Sequence, residues 1–163
     1  MIETQRLRLR RLTLSDTDAA FMIRLVNDPG WIANIGDRGV RDEDQARAYI
    51  ADRFTPNFWM KVCDAATGEP LGLCGIVPTR EGLDYPDLGY AFLARHSGKG
   101  YATEAASIVL AHALGPLGHP RLAAITSLDN TPSQRVLEKI GFRPLGVRNL
   151  PGHADDSAYF ETA

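Results

Sequence analysis

The sequence predicts an α/β (α+β) fold built as a single domain. Its 163 residues are enough for one domain with a hydrophobic core. Segments that alternate apolar and polar residues, as strands do, are separated by segments with the apolar periodicity of helices. A glycine-rich stretch at residues 95–104 lies between a predicted strand and a predicted helix. Such a junction can bind an anion through free backbone N–H groups and the helix dipole.

Composition and charge narrow the functional classes. Hydrophobic residues make up 44% and charged residues 23% of the chain, and the net charge of −2 gives no reason to expect a nucleic-acid partner. No apolar run is long enough to span a bilayer, and the first residues lack the apolar region of a signal peptide. We therefore expect a cytoplasmic protein without a membrane partner. No Cys/His cluster has metal-binding spacing, and Cys63 and Cys74 are expected to be small buried core residues.

The first part of the chain is predicted to contain one strand and two helices. Residues 6–12 alternate leucine with arginine over most of their length, which predicts a solvated edge strand with one apolar and one basic face. Ser15, with Asp18 three residues on, is expected to cap the first helix, and Asp42 with Gln45 to cap the second.

The connection between these two helices is expected to be a loop. Asn-Asp-Pro-Gly at residues 27–30 ends the first helix, and residues 31–40 mix aromatic, apolar and charged side chains between glycines. This loop either carries binding residues or tucks its apolar side chains into the core while Asp37 pairs with Arg38. The two interpretations stay open at this point.

The rest of the chain is predicted to alternate strands with two further helices. Gly72 and Gly75 inside a strand indicate a bulge or the close approach of another backbone. An alanine-rich helix follows the glycine-rich stretch, and the last helix is expected to be capped by Thr131 with Gln134 and to end at Gly141. The remaining strands are expected at residues 58–64, 70–77, 87–93, 122–128, 142–147 and 158–160.

The glycine-rich stretch does not fit three well-known phosphate loops. A Walker loop needs Ser or Thr after its lysine, but Gly100 follows Lys99. The dinucleotide fingerprint and the kinase loop both need a third glycine where Thr103 stands. What remains is the pattern Arg-x-x-Gly-x-Gly at residues 95–100. Taken alone, this pattern could also be a plain glycine turn before a helix.

Two motifs resemble the GNAT acyltransferases. Gly-Lys-Gly-Tyr-Ala-Thr-Glu-Ala at residues 98–105 is similar to the pyrophosphate loop of that family, and residues 130–142 resemble its Asn-x-x-Ser…Glu-Lys-x-Gly-Phe segment. Residues 4–10 resemble the branch that includes ribosomal-protein-alanine N-acetyltransferases. The order of predicted elements is also that of the family. The resemblance implies one acetyltransferase domain over residues 1–163, with a central mixed, mostly antiparallel sheet flanked by helices on both faces.

The resemblance also implies that the protein binds acetyl-CoA. Phe92, Leu93 and Ala94 would pair with the pantetheine arm like an added strand, and a backbone N–H near Leu93 would polarise the thioester carbonyl. Asn130 would hydrogen-bond the arm, although it could equally be only a turn residue. The pyrophosphate would lie on the loop that begins at Arg95, held by the backbone N–H groups of Ser97, Gly98, Lys99, Gly100, Tyr101 and Ala102.

Acetyl transfer to an amine needs an acid and a base, and the resemblance implies a candidate for the acid. Ser133 would lie near the sulfur and protonate the leaving thiolate, unless it is only a first-turn residue. Asp87 is the candidate base, directly or through water, and its alternative role is a solvated carboxylate at a strand end. Relatives often have the longer Glu at this place. Glu104 is expected to be structural, and His96 to be exposed.

A covalent route through a cysteine is disfavoured. Cys74 as a nucleophile would imply a ping-pong reaction, but no neighbouring residue in the sequence is suited to activate it. The prediction is therefore direct transfer in a ternary complex. The alternatives are a non-catalytic acyl-CoA-binding module and a nucleotide-binding protein of another fold.

The acceptor amine is not defined by the sequence. In this fold the acceptor pocket is built from the first two helices and loops near the C-terminus, and the segment from residue 153 onward is short for the family. That wall is expected to be incomplete or completed by a partner chain, in a monomer or a homodimer. Peptide α-amines, lysines, polyamines and small antibiotics all remain open. The candidate substrate-binding residues are Trp31, Asn34, Asp37, Arg38 and Tyr90.

Overall fold

The computed structural model describes all 163 residues. Its strands are β1 (Ile2–Glu3), β2 (Leu7–Arg11), β3 (Phe58–Asp64), β4 (Pro70–Val77), β5 (Asp87–Phe92), β6 (Ala123–Ser127), β7 (Arg143–Arg148) and β8 (Ser157–Glu161). Its α-helices are α1 (Asp16–Val26), α2 (Pro29–Asn34), α3 (Glu43–Tyr49), α4 (Tyr101–Leu114) and α5 (Thr131–Lys139). None of these helices combines the length and the apolar character needed to cross a bilayer.

All eight strands belong to one mixed sheet with the order β1-β2-β3-β4-β5-β6-β8-β7. Every neighbouring pair is antiparallel except β5 and β6, which are parallel. Helices α4 and α5 pack on one face of this sheet, and α1 and α3 pack on the other. The predicted fold class, a mostly antiparallel sheet with helices on both faces, is confirmed.

The two faces of β5 decide which side chains meet in the middle of the molecule. Side chains alternate between the faces of a strand. Leu88, Tyr90 and Phe92 therefore point to the face that α4 and α5 cover, and they pack in the core beneath those helices. Asp87 and Ala91 point to the opposite face, where Ala91 packs with the residues of α1 and α3.

The glycines inside β4 allow its neighbours to approach closely, as predicted. A Cβ on Gly72 would lie 2.3 Å from the Ala91 carbonyl oxygen, and a Cβ on Gly75 would lie 2.3 Å from the Phe58 carbonyl oxygen. Both distances are far below a van der Waals contact. These two positions therefore require glycine.

The predicted loop at residues 31–40 and the predicted cap of the last helix are wrong for local reasons. Helix α1 ends at Val26, as residues 27–30 predict, but Asp28 and Pro29 also begin α2, because the Asp28 carboxylate accepts the Gly30 N–H and proline fits a first helical turn. Part of the predicted loop 31–40 is therefore helical. Helix α5 is capped by Asn130, whose side chain accepts the Ser133 N–H, and not by Thr131.

The capping box predicted at α5 and the edge strand predicted at residues 6–12 also differ from the structure. Asp42 and Gln45 form the expected capping box at α3, whereas Gln134 donates its side-chain N–H groups to carbonyls that precede α5. Strand β2 is not an edge, because the unpredicted β1 pairs with it. Arg8 binds Glu3 at 3.2 Å and Arg10 binds Asp18, whereas Arg11 donates to the Thr55 carbonyl at 2.9 Å.

Candidate active site

The glycine-rich stretch forms a loop of unpaired backbone N–H groups. Gly98 and Gly100 have φ angles of 76° and 80°, a region that glycine adopts without a steric penalty. The N–H groups of residues 98–103 donate to no acceptor in the protein, and the hydrogen bonds of α4 begin with Glu104 N–H to Gly100 O at 3.1 Å. A row of free N–H groups that ends at a helix N-terminus is an anion-binding concavity. The loop therefore fits a phosphate or pyrophosphate group.

One N–H of the predicted set is already used. Ser97 N–H donates to the Ala94 carbonyl at 3.1 Å, and Ser97 Oγ donates to the same oxygen at 2.7 Å. These bonds close the short 3₁₀ turn Ala94–His96. The prediction that the Ser97 N–H is free is wrong, and the free row extends instead to Thr103.

The N-terminal segment holds this loop in place. Arg6 Nε lies 2.7 Å from Glu104 Oε1, and Arg6 Nη1 donates to the Lys99 carbonyl at 2.8 Å. The same guanidinium lies 4.8 Å from the centre of the Tyr101 ring. Thr4 Oγ1 also donates to Glu104. Glu104 is structural, as expected, but it acts by joining the first strands to the start of α4, a contact that sequence reasoning missed.

His96 lies beneath the loop and is buried. Only 8% of His96 is exposed, so the prediction of an exposed side chain is wrong. Arg95 Nε donates to His96 Nε2 at 3.2 Å, and the Arg95 guanidinium also pairs with Glu69. Burial and the neighbouring cations lower the pKa of His96, with Glu69 opposing them. A neutral His96 is consistent with its role as an acceptor for Arg95.

Beyond the loop, the sheet opens between its two parallel strands. Strands β5 and β6 pair only at Asp87 and Ala123, although both continue for several residues. Past this point the edge of β5 that faces β6 has no partner strand. An extended ligand can therefore add to this edge as a strand would. We call this opening the β5/β6 gap.

The N–H groups of β5 divide between β4 and the gap. Leu93 N–H donates to the Leu71 carbonyl at 3.0 Å, and Ala94 N–H donates to the Asp28 carboxylate at 3.1 Å. Both amides are committed, so the N–H near Leu93 that the resemblance implies for the thioester carbonyl is neither of these two. N–H directions alternate along a strand. Phe92 N–H therefore faces the gap.

A pair of hydroxyl groups bridges the gap on the side of α5. Tyr90 OH lies 3.0 Å from the Ser133 carbonyl oxygen and 2.8 Å from Ser133 Oγ. Burial raises the pKa of Tyr90 to about 12, with the bond to Ser133 opposing. Asn130 Oδ1 accepts the Ser133 N–H at 3.3 Å and so fixes the first turn of α5. The amide nitrogen of Asn130 keeps no partner within the protein.

On the opposite face, Asp87 lies at the closed end of the gap. Its side chain is only 2% exposed and binds Arg80 through both oxygens, at 3.1 and 2.7 Å. Burial raises the pKa of Asp87, while Arg80 opposes this shift. The alternative of a solvated strand-end carboxylate is therefore wrong. Asp87 and Ser133 approach the gap from opposite faces of the sheet.

Comparison with known proteins identifies the family. Residues 6–143 match the sequence model of the acetyltransferase (GNAT) domain. This chain belongs to the GNAT acetyltransferase family. The uncharacterized protein YkkB of Bacillus subtilis (strain 168) is 36% identical to this GNAT chain over 146 residues, which cover 85% of this chain and 82% of the relative.

Solved structures share the GNAT fold. An acetyltransferase (GNAT family) from Bacillus anthracis has a TM-score of 0.81 at 25% identity, covering 98% of this chain and 96% of that chain. A ribosomal L7/L12 α-N-protein acetyltransferase in complex with coenzyme A has a TM-score of 0.76 at 16% identity, covering 97% and 94% of the two chains. The GNAT fold uses acetyl-CoA, and this protein is an acetyl-CoA-dependent acyltransferase.

The structure brings only some of the predicted acceptor residues together. Asn34, Asp37 and Arg38 are exposed on α2 and the segment after it, and Asp37 pairs with Arg41 at 2.6 Å and not with Arg38. Trp31 is buried in the core beneath α1, and its indole N–H has no hydrogen-bond partner. Tyr90 lies on the other face of β5, so it does not share a wall with these residues.

Proposed function

We propose that this GNAT enzyme transfers the acetyl group of acetyl-CoA to a primary amine by direct attack in a ternary complex. The amine is the α-amine of a protein or peptide, or an amine of a small molecule. The observation that carries the proposal is the β5/β6 gap, which runs from the loop of free N–H groups to Asp87 and Ser133. We further propose that residues 1–163 form one domain and act in the cytoplasm, where free thiols such as Cys63 and Cys74 are usual.

The chain offers donors along the whole length of an extended thioester. The N–H groups of residues 98–103 would hold the pyrophosphate, with Arg95 beside them. Phe92 would bind the pantetheine arm through its backbone, and the unpartnered amide nitrogen of Asn130 would donate to the same arm. The Phe92 N–H, which faces the gap, would stabilise charge on the carbonyl oxygen. Bound acetyl-CoA supplies the acetyl group as a thioester.

Asp87 and Ser133 divide the proton transfers between the two faces. An amine attacks only when neutral, so its proton must pass to a base. Asp87 would accept that proton directly or through a water molecule, because its raised pKa makes it a better base than an exposed carboxylate. Ser133 would donate to the sulfur from the side of α5. The amine would then enter from the face of α1 and α2, where Asn34, Asp37 and Arg38 lie.

The cysteines support direct transfer. Burial raises the pKa of the Cys74 thiol, which is fully buried, far above its ordinary value. Burial also raises the pKa of Cys63, with Lys61 opposing. A thiol is a nucleophile only as the thiolate. Neither side chain is therefore suited to form an acetyl-cysteine on a ping-pong route.

The first experiment is a calorimetric titration with acetyl-CoA, with ATP and NAD as controls. Thiol release is then measured with peptides that carry a free α-amine, peptides that carry only a lysine amine, and spermidine. The double variant Asp87→Asn, Ser133→Ala is expected to bind acetyl-CoA with unchanged affinity and to lose turnover. Binding by the wild type without turnover on any amine would favour the non-catalytic acyl-CoA-binding module instead. The L7/L12 enzyme makes the peptide α-amine the first acceptor to test.

A further inference from the structure

The hydrogen bonds between Tyr90 and Ser133 join the two sides of the β5/β6 gap. Tyr90 is on β5, whereas Ser133 is in the first turn of the helix that follows β6. The distances of 3.0 Å to the Ser133 carbonyl and 2.8 Å to Ser133 Oγ place the phenol against the one hydroxyl that would contact the sulfur. Tyr90 is therefore placed to act on that hydroxyl.

The chemistry of the three oxygens limits how their protons are arranged. A carbonyl oxygen only accepts, so a phenol that bonds it must donate its single hydrogen there. The 2.8 Å contact is then a bond from Ser133 Oγ–H to Tyr90. In this arrangement Ser133 presents lone pairs, and not a proton, to the gap. If the phenol turns its hydrogen to Ser133 Oγ instead, the serine proton is released toward the gap.

We propose that Tyr90 is a positioning residue for acetyl transfer and that it sets the direction of the Ser133 hydroxyl. This inference rests on the proposed function. When the N–C bond forms and the C–S bond breaks, the electron pair of the C–S bond stays on sulfur. Ser133 Oγ–H then gives its proton to that sulfur while the phenol donates to Oγ. Asp87 takes the proton that the amine releases and passes it to solvent, and Ser133 regains a proton from solvent, so the transfer is neutral overall.

The environment of Tyr90 suits this role. Burial raises the pKa of the phenol to about 12, so the group stays protonated and remains a donor over the range in which amines are acetylated. Its ring packs in the core beneath α4 and α5 beside Cys74, its partner across the β4–β5 pair. A fixed ring leaves rotation of the O–H bond as the free motion. Hydrogen bonds in a chain, here from the phenol to Ser133 Oγ and from Oγ–H onward, strengthen one another in such a buried setting.

The test is a double-mutant cycle with Tyr90→Phe and Ser133→Ala. Tyr90→Phe removes one oxygen and keeps the ring, and it is expected to lower kcat about tenfold, the factor that one hydrogen bond commonly contributes. The KM for acetyl-CoA should not change. In the Ser133→Ala background, Tyr90→Phe should have no further effect on kcat. The matched control is Tyr85→Phe, whose ring lies under Arg121 and packs with Ala123 and Tyr159 on the face of the sheet opposite α5.

The outcomes separate this inference from the proposed function. A wild type that acetylates no amine overturns both. An active wild type with an equally active Tyr90→Phe variant, or with losses that multiply in the double variant, overturns the role of Tyr90 alone. If Tyr90→Phe does not fold, difluorotyrosine at position 90 replaces it, because this residue keeps the shape and lowers the phenol pKa. Its activity should then fall at the pH where the phenol ionises, and an unchanged pH profile would refute the inference.

Discussion

Lys61 Nζ lies 2.6 Å from Asp18 Oδ1, and neither side chain is more than 2% exposed. Arg10 reaches the same carboxylate at 2.7 and 3.0 Å, and Thr13 donates to it through its backbone and its hydroxyl, both at 2.8 Å. This buried cluster joins α1 to strands β2 and β3 on the face where the amine would enter. The sequence predicts only a capping role for Asp18.

The first prediction concerns this pair. Lys61→Met leaves the Asp18 carboxylate without its closest cation and should lower the free energy of unfolding by about 3 kcal/mol. Arg8→Met on the neighbouring strand removes an exposed pair with Glu3 and should cost less than about 1 kcal/mol. Urea unfolding of both variants measures the difference. Equal losses would mean that the buried pair contributes no more than an exposed one.

The second prediction is the pH dependence that Asp18 gives to stability. Hydrogen bonds from Arg10, Lys61 and Thr13 lower the pKa of Asp18 well below its ordinary value of 3.8, against the cost of burial. Because the pKa of Asp18 is lower in the folded than in the unfolded protein, its carboxylate stabilises the fold fully at any pH above the pKa of the unfolded state. This contribution is lost as the pH falls toward the pKa of the folded state. The free energy of unfolding should therefore decline below about pH 4. Asp18→Asn should be less stable at pH 7 and should decline less.

The third prediction tests the loop with two glycines of equal strain. Gly98 and Gly118 have φ angles of 76° and 72°, and an added Cβ would have no neighbour within 4 Å at either position. Replacement by alanine should therefore cost each variant about 1 kcal/mol of stability. Only Gly98→Ala should also weaken acetyl-CoA binding, because Gly98 lies in the row of free N–H groups. Calorimetry on both variants decides this, and equal affinities would argue against pyrophosphate binding at the loop.

Features that depend only on neighbouring residues can be predicted from this sequence, whereas features that depend on the sheet cannot. Glycine is required at positions 98 and 100 by the local backbone angles of the loop, so the sequence alone predicts this feature. The cap of α5 is also local, but Asn130 and Thr131 are both capping residues, and only the backbone angles decide between them. The face to which Tyr90 points depends on how β5 is set in the sheet, which the sequence pattern leaves open.

Contacts between distant parts of the chain depend on tertiary packing, which the sequence pattern does not specify. Arg6 and Glu104 are separated by 98 positions, yet their ion pair holds the loop against the first strands. In the sequence Arg6 is one of several arginines in an alternating strand. The partner that distinguishes it comes from the way the sheet and α4 pack.

The fourth prediction concerns this ion pair. Arg6→Ala removes the donor to the Lys99 carbonyl and frees the carboxylate of Glu104, so the loop loses its support. The dissociation constant of acetyl-CoA should rise by about tenfold, the effect of one or two hydrogen bonds. Arg8 lies two residues further on, inside β2, and the affinity of Arg8→Ala for acetyl-CoA should match that of the wild type. If both variants bind acetyl-CoA as tightly as the wild type, the loop is ordered without Arg6.

The last prediction identifies the base from its partner. Arg80 opposes the effect of burial on the pKa of Asp87, so Arg80→Gln should raise that pKa further. A base works only when deprotonated, and the acid limb of kcat/KM should therefore move to higher pH in this variant. Arg121→Gln is the matched control, because Arg121 is similarly exposed but pairs with Glu161 at 3.3 Å. The acid limb of kcat/KM for the Arg121→Gln variant should lie at the same pH as that of the wild type. If the acid limb of the Arg80→Gln variant also lies at the wild-type pH, that limb reports the ionisation of the acceptor amine, and Asp87 is not the base.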